Sequence, residues 1–189
     1  MIRSIDNCPL PTNTAYNISL LNIEPITEPI SLETAKKWLR METIDDDNDL
    51  ITELITEARM WIERYCALSI IPKTISCTIN LHANGSVELP YGPIDLASIV
   101  VKDVNDNVLT TGFTLIGVDG SFIDIKGHGI FSVSYDSISA PVVMLSGAIK
   151  SYIAYAYEHR GDALQDEGNP EFAKEAKRKA YPFMRQVFI

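Results

Sequence analysis

Four aspartates, Asp45, Asp46, Asp47 and Asp49, fall within five residues, a density of carboxylates that invites a hard cation. A calcium loop needs oxygen ligands at alternate positions, a glycine at the sixth and a glutamate at the twelfth. Counting from Asp45, the sixth position is Leu50 and the twelfth is Thr56, so the loop fails where it must turn and where it must close. The residues that follow, Leu50, Ile51, Leu54, Ile55, Ala58, Trp61, Ile62 and Tyr65, recur at steps of three and four, as one face of a helix requires. The acids therefore read as the head of a helix, where a cap and the positive end of the dipole favour carboxylates without any ligand.

The other reactive side chains are sparse. His82, His128 and His159 have no Cys, His or carboxylate at metal-ligand spacing. Cys8, Cys66 and Cys77 are odd in number, scattered and without a C-x-x-C pair, which argues against a disulfide framework or a zinc knuckle and for a reducing compartment. There is no G-x-S-x-G elbow, phosphate-cradling loop or dinucleotide fingerprint. Gly117, Gly120, Gly127 and Gly129 are spaced as turns, and Asp119 and Asp124, beside such glycines, read as turn formers rather than an acid pair. The expectation is no catalytic residue, no metal, no cofactor and no enzyme.

A net charge of −9 disfavours a general nucleic-acid binder, which neutralises phosphates with clustered Lys and Arg. The same charge suits a wall past which DNA slides without adhering. Tyr152, Tyr155, Tyr157 and His159 crowd one helix, but only Lys150 and Arg160 interleave them, so core packing plus an interface is expected rather than a base-stacking surface. From Glu171 to Ile189 there are five Lys or Arg against two Glu, and the chain finishes "YPFMRQVFI". Such an apolar end is either buried or docked on a partner. Neither a secretion signal nor a membrane span is expected, since the most apolar stretch, Pro141 to Tyr157, is short and contains Lys150.

The elements that must position these residues follow from punctuation and period. Residues 1–29 hold four prolines and no sustained period and read as an extended arm whose apolar residues lie on something. Ser31 caps a helix, "SLETAKKWLR", and the acidic linker leads into the long one. From "KTISCTINL" to "GIFSVSYDSI", about six β-branched runs alternate with turn residues, with Asn84-Gly85 as a hairpin turn. Helix returns after Pro141, ends at Gly161, and resumes over "PEFAKEAKRKAY" until Pro182. The expected fold is α+β: a helical base of two N-terminal and two C-terminal helices, with a small antiparallel β lobe inserted between them. The expected division is residues 1–29 as the arm, 30–69 as the N-terminal helical pair, 70–138 as the β lobe and 139–189 as the C-terminal helices and tail. Residues 30–189 would form one structural unit.

In that order the segments resemble the head-to-tail connector (adaptor) family of bacteriophages. "ISLETAKKWLRMETIDDDNDLITELITEARMWIERYCALSII" is similar to that family's "ITLEEAKxxLR" helix, acidic linker and "LIxxLIxAAxxxIExYTGRxLI". "VELPYGPIDLASIVV" resembles its "LPxxPVxSVxSV", "GIFSVSYDSI" with "APVVMLSGAIKSYIAYAYEHRGD" its last strand and following helix, and "AYPFMRQVFI" its closing "LLxPYRxxxF". The glycine of "YTGR" is absent from "YCALS", "YTAGY" is replaced by "YDSIS", and residues 1–29 have no counterpart.

The resemblance implies a virion protein, made in the host bacterial cytoplasm, that forms a homo-oligomeric ring of twelve copies beneath the portal protein. It would join the portal to a further neck or tail protein and let DNA pass without specific binding. Portal binding would fall to Tyr181, Phe183, Met184, Arg185, Val187, Phe188 and Ile189, and Asp45, Asp46, Asp47 and Asp49 would cap their helix or line the channel. A neck or tail-completion (terminator) ring protein is the alternative. A DNA-packaging protein contacting DNA would need a basic helix-turn-helix surface, and the only basic cluster is Lys174 to Lys179.

Overall fold

The computed structural model describes residues 14–23, 26–82, 84–117, 122–140, 142–160 and 171–184. Helix α1 (Leu32–Leu39) starts where Ser31 accepts a hydrogen bond from the Thr34 amide at 3.2 Å, and Arg40 ends it in the left-handed region, φ 59°. Helix α2 (Asn48–Cys66) buries Ile51, Leu54, Ile55, Ala58, Trp61 and Ile62 along one side, as the period requires, and stops at Ala67, φ 53°. Helix α3 (Val142–Glu158) buries Leu145, Ala148, Ile149, Tyr152, Ile153 and Ala156. Helix α4 (Lys174–Ala180) begins later than Pro170 suggests: Ala173 adopts φ 45°, and Phe172 before it turns into the core. A single 3₁₀ turn, Tyr181–Phe183, follows.

Seven strands are described: β1 (Thr14–Asn22), β2 (Lys73–Leu81), β3 (Gly85–Glu88), β4 (Val100–Lys102), β5 (Phe113–Ile116), β6 (Phe122–Ile125) and β7 (Gly129–Asp136). They form a four-stranded sheet ordered β1-β2-β7-β4 and a three-stranded sheet ordered β3-β6-β5. In β2, Ile75, Cys77, Ile79 and Leu81 are buried while alternate residues are half-exposed, the period of a one-sided strand. Opposite them in antiparallel register lie Tyr135, Val133, Phe131 and Gly129 of β7. In the smaller sheet Ile123 and Ile125 of β6 are buried, with Val87 of β3 paired to Ile123.

This overturns the expected architecture. The β structure is not one small lobe inserted between helix pairs, because β1, drawn from the segment before the first helix, joins the larger sheet and the remaining strands divide between two sheets. Nor do the helices form an N-terminal and a C-terminal pair, since α3 packs against α1, α2 and α4 alike. The physical reason is that α3 is apolar over most of its circumference and so takes neighbours on several sides. The Asn84-Gly85 hairpin also fails: β2 and β3 lie in different sheets, and the Asn84 side chain instead accepts the Gly127 amide at 2.6 Å.

The chain divides into two compact units. One comprises Met1–Leu21, Thr74–Pro90 and Ile94–Asp136, and the other Asn22–Lys73, Tyr91–Pro93 and Ser137–Ile189. The core of the helical unit draws on residues from Ile30 to Ile70 and from Leu145 to Ala180.

Candidate functional site

The acidic run is partly consumed by the fold. Asp45 takes the ammonium of Lys36 at 2.6 Å and the amide of Asn48 at 3.3 Å, and these bonds hold its carboxyl below the ordinary range. Asp47 precedes α2, but its side chain makes no capping bond. It accepts the hydroxyl of Tyr157 instead, and that bond raises the tyrosine pKa. Asp46 and Asp49 are exposed. The four acids thus split into two that bind their own chain and two that face outward. Among the described residues no group of three or more His, Cys, Asp and Glu is placed to hold a metal ion.

The tyrosines of α3 are packing residues. The Tyr152 ring lies 5.1 Å from Trp61 and meets Phe172 edge-on at 6.1 Å, and its hydroxyl donates to Glu57. Tyr155 stacks on His159 at 4.4 Å, and Tyr157 lies beneath the guanidinium of Arg160. His159 Nδ1 sits 2.9 Å from the Tyr155 carbonyl, a local bond rather than a ligand geometry. Two hollows border these helices: one of about 380 Å³ around Lys36, Asp45 and Asn48, and one of about 530 Å³ around Tyr155, His159 and Arg178. Neither pairs a nucleophile with a base.

One constellation escaped sequence reasoning. Glu63 of α2 is buried with Arg59 one turn earlier and Lys73 at the start of β2. Its Oε2 accepts from Arg59 at 2.9 Å, while Oε1 accepts from Lys73 at 2.6 Å and from the amides of Ile70 and Ile71. Glu28 completes the set with two bonds to Arg59, at 2.9 and 3.1 Å. Burial alone would lower the Arg59 pKa, but the bonds and charges of Glu28 and Glu63 outweigh it and raise the value. For Lys73 burial wins and lowers it. Every charge has a partner, so the cluster fixes the exit of α2 and the entry to β2 rather than binding anything. A partial signal existed, since Arg59 borders the apolar stripe of α2, but the helical period puts Glu63 on the polar side.

The surface of the helical unit carries the features an assembly needs. Of the C-terminal residues, Tyr181 is 67% exposed and Met184 is also exposed, while Phe183 packs against the helical core. Arg185, Val187, Phe188 and Ile189 lie outside the described residues. Elsewhere, Val143 is 87% exposed, Met60 58% and Trp38 47%. Two lysines flank the Trp38 ring, Lys150 at 5.2 Å and Lys179 at 5.7 Å. Apolar groups left in water at these positions are of the kind found at protein–protein contact sites.

Residues 29–103 match the family described as phage gp6-like head-tail connector protein. No curated protein matches it in sequence. Its fold is similar to a chain in the neck of an empty gene transfer agent (GTA) particle computed with C6 symmetry. The TM-score is 0.65 at 14% identity, over 90% of this chain and 97% of that one. A chain in the virion of a native GTA particle is similar with a TM-score of 0.61 at 16% identity, over 90% and 96%. No helix among the described residues is long and apolar enough to cross a membrane.

Proposed function

We propose that this chain is a head-tail connector protein that forms a ring, docks on the portal protein, receives a further neck or tail protein and continues the channel through which DNA passes. A head-tail connector protein is a structural component of the virion at the head-tail junction. The observation that supports the ring is the fold shared, over nearly the whole of both chains, with a component of a neck of six-fold symmetry. A ring of twelve respects that symmetry, and closed rings arise when one surface of a subunit meets a different surface of the next.

Portal docking falls to the end of the chain. Tyr181 and Met184 already stand at the surface, and Arg185, Val187, Phe188 and Ile189 continue an aromatic and aliphatic sequence that costs free energy in water. Phe183 belongs to the helical core, so the dispensable part starts after it. DNA would pass without being gripped, because a chain of net charge −9 repels phosphate.

The test is electron microscopy of the chain mixed with portal protein, beside a chain lacking residues 184–189. A twelve-fold layer on the portal that disappears in the truncated chain, with its helical circular dichroism unchanged, is the expected result. A layer that persists would move the docking role elsewhere, and a bare portal with the intact chain would end the ring reading.

A further inference from the structure

The helical unit presents two outward faces whose chemistry is complementary at the same spacing. On α2, Asp49, Glu53 and Met60 lie on the side opposite the buried stripe of Leu54, Ala58 and Ile62. Glu53 and Met60 are two turns apart, about 10 Å along the axis. On α3, Val143, Gly147 and Lys150 lie opposite the buried Leu145, Tyr152 and Ala156, and Val143 and Lys150 are likewise two turns, about 10 Å, apart. One face thus offers an acid and then an apolar side chain, and the other an apolar side chain and then a base.

Neither face is satisfied within the chain. Among the described residues Asp46, Asp49 and Glu53 have no ion-pair partner. Lys150 meets only the ring of Trp38. The rim of the α3 face is held in place: Lys179 donates to Ser151 at 2.7 Å, lies beside Gly147 and covers the other part of Trp38. Tryptophan is among the side chains that dominate binding energy at protein interfaces, and Trp38 is 47% exposed with lysine stems along its ring. Between Val143 and Lys150 lies Gly147, whose surface the Lys179 stem borders.

We propose that the α2 outer face of one copy packs antiparallel on the α3 outer face of the next, with Glu53 against Lys150 and Met60 against Val143. The occupant of each face is therefore a second copy of this chain. The pairing is heterologous, so each subunit keeps one free half of each kind until a ring closes. This inference rests on the ring reading and supplies its side-to-side contact. It also gives the free acids Asp49 and Glu53 to a neighbour rather than to a channel wall.

A Cys8→Ser chain carrying Met60→Cys and Val143→Cys, assembled on portal protein and mildly oxidised, tests the contact. Both faces turn away from the core that α2 and α3 share, so a bond within one chain is out of reach. The expected result on a denaturing gel is a ladder of covalent multimers rising to the full ring. Monomers alone, from a layer that microscopy shows as a ring, would overturn this contact and leave the ring standing. No layer would overturn both. Separately, Lys150→Glu or Glu53→Lys alone should shift assemblies to monomers, and the two together in one chain should restore them. Both side chains lie on the outer face, and helical circular dichroism checks the fold. Assembly unaffected by either single change, or not restored by the pair, would also overturn the proposal.

Discussion

At the scale of single residues the strongest interactions are the ones that look most ordinary in sequence. Arg59 and Glu63 have the spacing of a surface ion pair, worth a few tenths of a kcal/mol. In the fold they are buried with Lys73, and Glu63 accepts four hydrogen bonds. Removing its charge by Glu63→Gln leaves two buried cations facing a neutral amide. A cost of about 3 kcal/mol is expected, the size seen when one partner of a buried pair is lost. Urea unfolding of the two chains measures it, and a cost under about 1 kcal/mol would mean that water reaches the cluster. The cysteines carry a second expectation. Burial pushes the Cys66 and Cys77 thiols up to about 11, so both should be protonated and inert at neutral pH. In a Cys8→Ser chain at pH 8, alkylation followed by mass spectrometry should proceed only at the rate of unfolding, and rapid labelling of either thiol would contradict its placement.

At the scale of elements, helix ends decide what the sequence could and could not reveal. The α2 stripe and the Ser31 cap were legible because period and capping are local properties, fixed by neighbours three and four residues away. The end of α2 was less so. Where a glycine was expected, Ala67 holds the left-handed conformation, which costs an L-residue about 1–2 kcal/mol. Ala67→Gly should therefore raise stability by about 0.5–1 kcal/mol, after allowing for the extra freedom of glycine in the unfolded chain. A matched pair of thermal melts would show it, and a fall in melting temperature would refute it.

The sheets were illegible for the opposite reason. Nothing local distinguishes "TISCTINL" pairing with "SVEL" across Asn84-Gly85 from its pairing with β7 some fifty residues later, and burial of one face of a non-local sheet settled the matter. The outward face of α2 was legible in part, since Met60 breaks the polar side of that helix, but α3 is apolar over most of its circumference, so its outward face and the complementarity of the two needed the fold. In α4, the hydrogen bond from Arg178 lowers the Glu175 pKa from 4.5 to about 2. A depressed carboxylate stabilises the fold above pH 4.5, and that support disappears as pH falls toward 2. Carboxyl NMR should place its midpoint well below the ordinary glutamate value of 4.5, and a midpoint at that value would mean the Arg178 bond is not kept in solution.

At the scale of the whole molecule, the question is whether the helices need the strands. The buried core of the helical unit takes its residues from Ile30–Ile70 and Leu145–Ala180 and none from between. Apart from the short Tyr91–Pro93 piece, the chain departs from this unit after Lys73 and returns at Ser137, side by side: the Ser137 amide donates to the Lys73 carbonyl at 2.8 Å, and the Lys73 amide to Ser137 Oγ at 3.0 Å. A short glycine-rich linker could join residues 73 and 137 without moving either. The deletion would forfeit the bonds that Gly92 and Pro93 accept from Ser69 and Ile138, worth about 1 kcal/mol each. The helix stripes would keep their partners, because apolar burial dominates and that burial is internal to the unit. Such a chain should give a strongly helical circular dichroism spectrum and a single cooperative melt at a lower temperature than the full chain. It should also retain the α2-to-α3 contact between copies, since Glu53, Met60, Val143 and Lys150 all remain, so portal-bound layers of the shortened chain are expected. A non-cooperative, molten product would show that the strands supply the specificity of the fold, and that assembly cannot be assigned to the helices alone.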